Sequence, residues 1–371
     1  MEPASATGGT MLRYAIIGGA AGIAPTHIRA LQQLPSAQLA GMSDISAERG
    51  LAAAQAVSCP FFGDHIEMLA ELRPDVAVIC APHPFHLALA LDCFAAGAHV
   101  LVEKPMAVTV AEADRMIAAA ADAGRVLAVN FQQRFRPLIE RARALIDTGE
   151  LGPLVRVLCV EPWFRTAAYY RSAGWRGTWR GEGGGVLLNQ APHSLDLLIH
   201  LAGMPTKVWG WTRTLRHAIE CEDSAQAMLE FTNGAPGYLT MSTVEVGQQR
   251  LQIVGERAAL DLVGEQLAIT RFAPSLRDQM LNSPLPFEAP KSSVETEILP
   301  GDGGGHLAVY RDLAAAIAAG GRPRADGVEG RQSLELANTI IFSSYAERAV
   351  TLPLDRGEYD ALLAELRASN E

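Results

Sequence analysis

Between Arg13 and about Phe131, short apolar runs alternate with helical patterns, and this alternation restricts most strongly how the chain can fold. Tyr14–Gly18 reads as a strand, with a helix following to about Leu34. Gln38–Met42 is a strand, Ser46–Val57 a helix, Asp75–Cys80 a strand, Pro84–Ala96 a helix and His99–Glu103 a strand. Thr109-Val110-Ala111-Glu112 has the form of a capping box, opening a helix that stops near Gly124 before the strand Val126–Asn130. Parallel strands need long crossovers, so strands and helices in turn predict an α/β fold with a doubly wound parallel sheet.

The texture changes after a helix around Pro137–Leu145. Leu154–Glu161, Lys207–Arg213, Ala225–Phe231, Tyr238–Val246, Leu251–Val254, Ala259–Leu262 and Leu267–Phe272 follow at close spacing, mostly without helices between them. That pattern predicts a second domain with an open, mostly antiparallel sheet, interrupted early by a helix over about Gln190–Leu201. Ala273–Lys291, rich in Pro and Ser, reads as a surface loop, and helices at Leu307–Ala319 and Val328–Ala349 finish the body. The expected division is a disordered tail at 1–11, a nucleotide-binding domain at 12–131, a substrate-binding and oligomerisation domain at 132–355 and a terminal helix at 356–371. A chain of 371 residues exceeds one ordinary core, which agrees with two domains.

Charge and cysteine usage narrow the function classes. Thirty-one basic residues stand against 41 acidic ones, with no Lys or Arg block, so nucleic acid and acidic membrane surfaces are not expected partners. Five scattered cysteines (Cys59, Cys80, Cys93, Cys159, Cys221) show no metal-binding spacing, and no metal is expected. They suit reduced thiols in a cytosol. With no basic, apolar leader at the start and no apolar stretch long enough to span a bilayer, a soluble cytoplasmic protein is expected.

The turn after the first strand, Ile16-Ile17-Gly18-Gly19-Ala20-Ala21-Gly22-Ile23-Ala24, is built of small residues. Small residues there let the backbone approach a pyrophosphate and let the helix N-terminus face it. Counted from Gly19, the G-x-G-x-x-G/A pattern puts its second glycine on Ala21 and its third on Ala24, an accepted variant. Gly22 could supply the missing freedom one position later, and a plain strand-to-helix turn stays open. Asp44 ends the second strand, where a carboxylate takes adenosine ribose hydroxyls and repels a 2′-phosphate, favouring NAD over NADP. The alternative is a helix-entry aspartate before Ser46. At the end of His99-Val100-Leu101-Val102, Glu103-Lys104-Pro105 sets a primary amine at the carboxyl end of a buried strand, where such sheets hold ligands. The lysine pKa shifts readily on burial, which makes it chemically useful.

Taken in order, this turn, Asp44, Ala81-Pro82-His83-Pro84-Phe85-His86, Gly97-Ala98-His99-Val100 and Glu103-Lys104-Pro105 resemble a known family. The chain resembles the glucose–fructose oxidoreductase / inositol dehydrogenase / MocA family. The resemblance continues through Gly183-Gly184-Gly185-Val186-Leu187-Leu188-Asn189-Gln190-Ala191-Pro192-His193-Ser194-Leu195-Asp196 to Val328-Glu329-Gly330, so that about residues 12 to 355 are covered. It implies an N-terminal Rossmann domain and a C-terminal α/β domain whose sheet face packs on another subunit, hence a homodimer or homotetramer. It also implies that Lys104 and His193 face the reacting carbon and the nicotinamide. Around an NAD cofactor it places Gly19, Ala21, Gly22, Ile23, Ala24, Asp44, Pro82, His83, His86, Glu103, Lys104 and Asn130, with Gln132 toward the substrate. His83 and His86 read as positional rather than catalytic.

The implied chemistry is hydride transfer from a secondary hydroxyl of a sugar, glycoside or cyclitol. It needs a base for the hydroxyl proton and charge near the developing alkoxide. His193 has the titration range for the first and Lys104 the charge for the second. A helix from near Asn189 would set Asn189 and His193 at i and i+4, on one face. Many relatives carry an aspartate where Asn189 stands, and an amide orients a hydroxyl but cannot act as a carboxylate base. Trp163, Arg165, Tyr169, Trp179 and Arg180 gather aromatic faces and guanidiniums that suit a sugar, or else a packed loop or interface. His306, after three glycines, either caps its helix or reaches the substrate. Two other readings stay open: a non-catalytic dinucleotide sensor, and redox-assisted glycoside cleavage with Tyr169 or His306 as an extra base.

Overall fold

In the computed structural model, which describes residues 11–369, the predicted parallel sheet has six strands. They are β1 (Leu12–Ile17), β2 (Ala37–Ser43), β3 (Phe61–Phe62), β4 (Val76–Ile79), β5 (His99–Val102) and β6 (Leu127–Val129). Their order is β3-β2-β1-β4-β5-β6, with every pairing parallel. The reversal of direction between β1 and β4 makes the doubly wound switch point, outside which such sheets take ligands. β4 is buried along its whole length and β5 over Val100–Val102, as strands covered by helices on both faces must be. The tail read at residues 1–11 lies, apart from Met11, outside the described residues.

Two compact units divide the described chain, and their boundaries differ from division in chain order. Residues 305–330 belong with the parallel sheet, together with 112–132 and the stretch up to Met106, whereas 107–111 group with the second unit. In the first unit Val129 donates its N–H to the Ala325 carbonyl at 2.9 Å, and Gly330 packs against Val129. His306, expected in the second domain, therefore lies in the nucleotide-binding unit.

The second unit carries nine strands: β7 (Leu154–Pro162), β8 (Lys207–Arg213), β9 (Ser224–Glu230), β10 (Pro236–Ser242), β11 (Arg250–Gly255), β12 (Ala258–Val263), β13 (Gln266–Ala273), β14 (Lys291–Ile298) and β15 (Val350–Thr351). Their order is β14-β13-β12-β11-β7-β10-β9-β8-β15, antiparallel except for the β7/β10 pair. Along β7, Val157, Cys159 and Glu161 are buried while the residues between them are half-buried, the alternation of a sheet with one covered face. The other face exposes Trp209, Met228 and Tyr238, cross-strand neighbours in register, as well as Trp211.

Two sequence expectations are corrected here. The region expected as a loop, 273–291, contains the exposed helix Leu276–Asn282, started by the Ser275 hydroxyl accepting from the Asp278 N–H, and it leads into β14. The helix expected over Gln190–Leu201 is found at Pro192–Ala202, but it does not extend back to Asn189, which ends a separate segment, Val186–Asn189. Proline lacks an N–H and suits the first turn of a helix, so Pro192 starts a new one. Asn189 and His193 thus stand on consecutive short segments rather than on one continuous face. The terminal helix is found at Arg356–Ala368.

Candidate active site

In the first unit, the turn after β1 is fastened from the end of β2. Asp44 accepts the Ala20 N–H at 2.8 Å with one carboxylate oxygen and the Ser46 N–H at 2.8 Å with the other. One side chain therefore shapes the glycine turn and opens the next helix. Gly18 has φ +87° and lies so near the Ala81 backbone that a Cβ would come within 2.9 Å of its nitrogen. Gly22, by contrast, faces open space, with nothing within 4 Å of a Cβ built there. The helix Ala24–Gln32 begins at Ile23 with no side-chain cap. The Ala24 N–H bonds the Ala21 carbonyl and Pro25 has none, so the fit to a dinucleotide lies in the turn before the helix, where Gly22 leaves open space. Ala21, Ile23 and Ala24 complete the turn.

The carboxyl ends of β4 and β5 carry the next group. His86 is fully buried, its ring nitrogens 3.0 Å from the Pro105 carbonyl oxygen and 2.7 Å from that of Ala81. Burial pushes its imidazole below the usual range, partly offset by those carbonyls. It ties the loop after β4, which contains Pro82 and the buried His83, to the segment after Lys104. Glu103 is held from several sides: His27 Nε2 lies 2.9 Å from its Oε1, Asn130 Nδ2 donates to the same oxygen, and the Lys104 N–H reaches Oε2 at 3.2 Å. Burial pushes this carboxyl up, but the hydrogen bond from His27, the His306 ring with Nε2 3.8 Å away, and the charges of His27 and Lys104 hold it well below the usual range. The side chains of His27, Glu103 and His306 bring ligand atoms within 4.8 Å of one another. The hydrogen bonds already made to Glu103 account for that grouping. Lys104 itself is half-buried, and Gln132 opens a short 3-10 turn.

The second unit holds the glycine-rich segment 183–185, Asn189 and His193. Glu222 is buried and accepts the N–H groups of Gly185 and Leu187 at 2.9 and 3.1 Å, both on one oxygen. Glu182, 1% exposed, accepts the Gly177 N–H at 2.6 Å and the Asn189 side-chain amide. His193 is half-buried in the first turn of its helix. The next residue, Ser194, lowers the pKa of Glu161 from β7 against burial, which pushes that carboxyl up to about 7, and Glu161 Oε2 has no hydrogen-bond partner. Arg134 and Asp196, both buried, form a bidentate pair with contacts down to 2.6 Å.

Of the residues expected at the substrate, Trp163, Arg165 and Tyr169 come together. The Arg165 guanidinium lies 5.7 Å from the Trp163 ring and 5.2 Å from Tyr169, and Arg176 lies 4.3 Å from Tyr169. The Tyr169 hydroxyl contacts Arg176 at 2.6 Å and the Gln190 amide at 3.0 Å. Arg176 also lines a cleft of about 490 Å³, with Tyr170, His217 and Glu220, whereas Trp163, Arg165 and Tyr169 do not line it. Trp179 is 2% exposed and meets Tyr345 edge-on, so its face is spent on packing and cannot stack on a sugar. Arg180 is exposed, and His306 packs edge-on against His27 in the other unit. Sequence reasoning missed His27, Glu161, Glu182 and Glu222. A polar residue inside an apolar run, as at Glu161, was the available signal.

Comparison with known proteins bears on this arrangement. Residues 12–131 match the oxidoreductase family with an NAD-binding Rossmann fold, and 139–261 match the GFO/IDH/MocA C-terminal domain. The chain is 38% identical over 173 residues to a 1-carboxy-3-chloro-3,4-dihydroxycyclohexa-1,5-diene dehydrogenase of Comamonas testosteroni, covering 46% of this chain and 43% of that protein. It is 30% identical to the trans-1,2-dihydrobenzene-1,2-diol dehydrogenase of Mus musculus, over 62% of this chain and 68% of that one. The chain thus spans less than half the length of the first of these relatives. Among solved structures, the WlbA dehydrogenase of Bordetella pertussis, in complex with NADH and UDP-GlcNAcA, superposes with a TM-score of 0.83 at 29% identity, covering 93% of this chain and 99% of that one. Among the described residues, no helix is long and apolar enough to cross a membrane. Both halves of the pattern, the nucleotide-binding sheet and the broad second sheet, are therefore accounted for together: the chain belongs to the GFO/IDH/MocA family of oxidoreductases.

Proposed function

We propose that the chain is an NAD-dependent dehydrogenase that oxidises a secondary hydroxyl on a ring carrying neighbouring hydroxyls, a sugar, glycoside or cyclitol. The observation that carries this reading is Lys104 at the carboxyl end of β5, its backbone anchored by Glu103 and, through Glu103, by His27 and Asn130. The named relatives extend the range to cyclic vicinal diols, since two of them are dehydrogenases of dihydroxylated six-membered rings.

When bound, the nicotinamide supplies the hydride acceptor. Gly19, Gly22 and the rest of the turn before the helix Ala24–Gln32 would hold the pyrophosphate, and Asp44 would take the ribose hydroxyls. Lys104, as an ammonium, donates to the substrate oxygen and stabilises negative charge as the C–H bond breaks. His193 accepts the hydroxyl proton. Asn189 accepts from a neighbouring hydroxyl, and Trp163, Arg165 and Tyr169 receive the rest of the ring. The chain works in the cytoplasm as a homo-oligomer joined through the face that exposes Trp209, Met228 and Tyr238.

A panel of sugars, glycosides, inositols and cyclic diols with NAD, followed at the reduced-nicotinamide absorbance, tests the reading. Turnover with at least one ring alcohol, abolished in Lys104→Ala with NAD binding retained, is the expected result. Tight NAD binding with silence across the panel refutes it in favour of a sensor. Release of free sugar without net NADH points instead to glycoside cleavage.

A further inference from the structure

Asn189 does not stand alone. Its side-chain nitrogen donates to Glu182, whose other oxygen takes the Gly177 N–H at 2.6 Å, and Glu182 is almost completely buried. An ionised carboxylate only accepts, so this contact decides which way the amide faces: Nδ2 toward Glu182, Oδ1 away from it. A second buried acid stands close by, since the charge of Glu182 contributes to the high pKa of Glu222. Backbone N–H groups from 177, 185 and 187 fasten these two acids to the loop that carries Asn189.

We propose that Glu182 is a positioning residue for the reaction, holding the Asn189 amide so that its Oδ1 accepts from a substrate hydroxyl, and polarising it through a charge-assisted hydrogen bond. This rests on the reading above that Asn189 meets the substrate. A carboxylate behind an amide draws positive character onto Nδ2 and leaves Oδ1 a stronger acceptor than an unassisted asparagine. The negative charge serves the substrate from one side chain away, without a carboxylate touching the alcohol. The pair also has a definite polarity, acid at 182 and amide at 189, and exchanging the two gives the same hydrogen bond with the charge moved forward.

The test is a three-variant exchange in the full chain, assayed on a ring alcohol that the wild-type chain oxidises. Glu182→Gln sets two amides against each other and is expected to lower kcat/KM by about 10- to 100-fold, the range of one hydrogen bond to a charged group. NAD affinity should hardly change. Asn189→Asp alone puts two carboxylates in contact, so one must hold a proton, and the pH profile should gain an ionisation above the usual carboxylate range. In the double variant Glu182→Gln/Asn189→Asp the amide at 182 donates to the new acid, and activity should recover to within a few-fold of wild type. The inference is overturned if Glu182→Gln, folded by thermal melting, keeps its kcat/KM within twofold, or if the double variant is no better than the worse single one. Silence of the wild-type chain across the whole panel overturns the functional reading, and this inference with it.

Discussion

His27 Nε2 lies 2.9 Å from Glu103 Oε1, and its other ring nitrogen lies 2.8 Å from the Tyr310 hydroxyl. A carboxylate only accepts, so Nε2 carries its proton toward Glu103, while Nδ1 meets a hydroxyl that can donate or accept. The three residues come from the first helix, the end of β5 and the returning segment 305–330, and they brace the backbone from which Lys104 projects.

Removing that brace should act on catalysis through Lys104. His27→Ala leaves Glu103 with one donor fewer in a buried place, and kcat/KM should fall roughly tenfold, the scale of one buried hydrogen bond. Glu103 also sets an acid limit. Its carboxyl is held well below the ordinary range, so the folded state binds this proton less readily than the unfolded chain. The stability it confers is complete above the unfolded value of about 4.3 and is lost as pH falls toward the folded one. Melting temperatures of Glu103→Gln should therefore depend less on pH below about 5 than those of wild type; identical acid limbs would exclude this.

Asp44 has two hydrogen-bond duties within the fold and a proposed third toward the cofactor. Asp44→Asn keeps the shape but removes the charge and one of the two backbone acceptances, since an amide nitrogen cannot accept, so the turn loosens while discrimination weakens. The ratio of kcat/KM for NAD over NADP should fall on the order of tenfold, about 1.4 kcal/mol of lost charge repulsion. An unaltered ratio with both cofactors removes Asp44 from cofactor selection.

Glu222 gives the opposite pH dependence to Glu103. Burial pushes its carboxyl up to about 7, against hydrogen bonds from Leu187 and Gly185 that favour the ionised form. Between about 4.3 and 7 the folded state therefore keeps a proton that the unfolded chain has released. Stability falls as pH rises through this window and levels off above it, by up to roughly 4 kcal/mol for this group. Both backbone donors use one oxygen, and a glutamine can retain it. Glu222→Gln should accordingly flatten the decline in urea-unfolding free energy between pH 5 and 7; a slope equal to wild type would show that the group is already ionised.

Much of this architecture can be read from the chain, for reasons that differ by element. β1, β4 and β5 are apolar runs bounded by turns, and burial on both faces leaves them no other reading. β3 is two residues long, and β14 is a largely exposed edge strand without apolar alternation, so neither carries a periodic signal. The motif residues at 19–24, 44, 103–105 and 189–193 stand out in the sequence because the chemistry proposed for them depends on local order. The supporting groups are not. Glu182 and Glu222 look like surface acids, and only the fold reveals that backbone N–H groups enclose them. His27 is invisible in the same way, since its partners lie 76 and 283 residues away.

The two kinds of glycine in the motifs separate packing from binding. A Cβ on Gly185 would lie 1.8 Å from the Glu222 carbonyl oxygen, a backbone atom that cannot rotate aside. Gly185→Ala must displace one of the two segments, and a loss of about 3 kcal/mol or more in unfolding free energy is expected. Gly22 has nothing within 4 Å of such a Cβ and does not lie at positive φ. Gly22→Ala should leave the melting temperature unchanged or slightly higher, because alanine restricts the unfolded chain more than glycine does. If the dinucleotide approaches the turn there, the added methyl occupies its place, and the NAD dissociation constant measured by calorimetry should rise roughly tenfold, the effect of losing one close backbone–phosphate contact of about 1.4 kcal/mol. Unchanged NAD affinity in a well-folded Gly22→Ala would mean that the missing glycine of the turn is not replaced from this position.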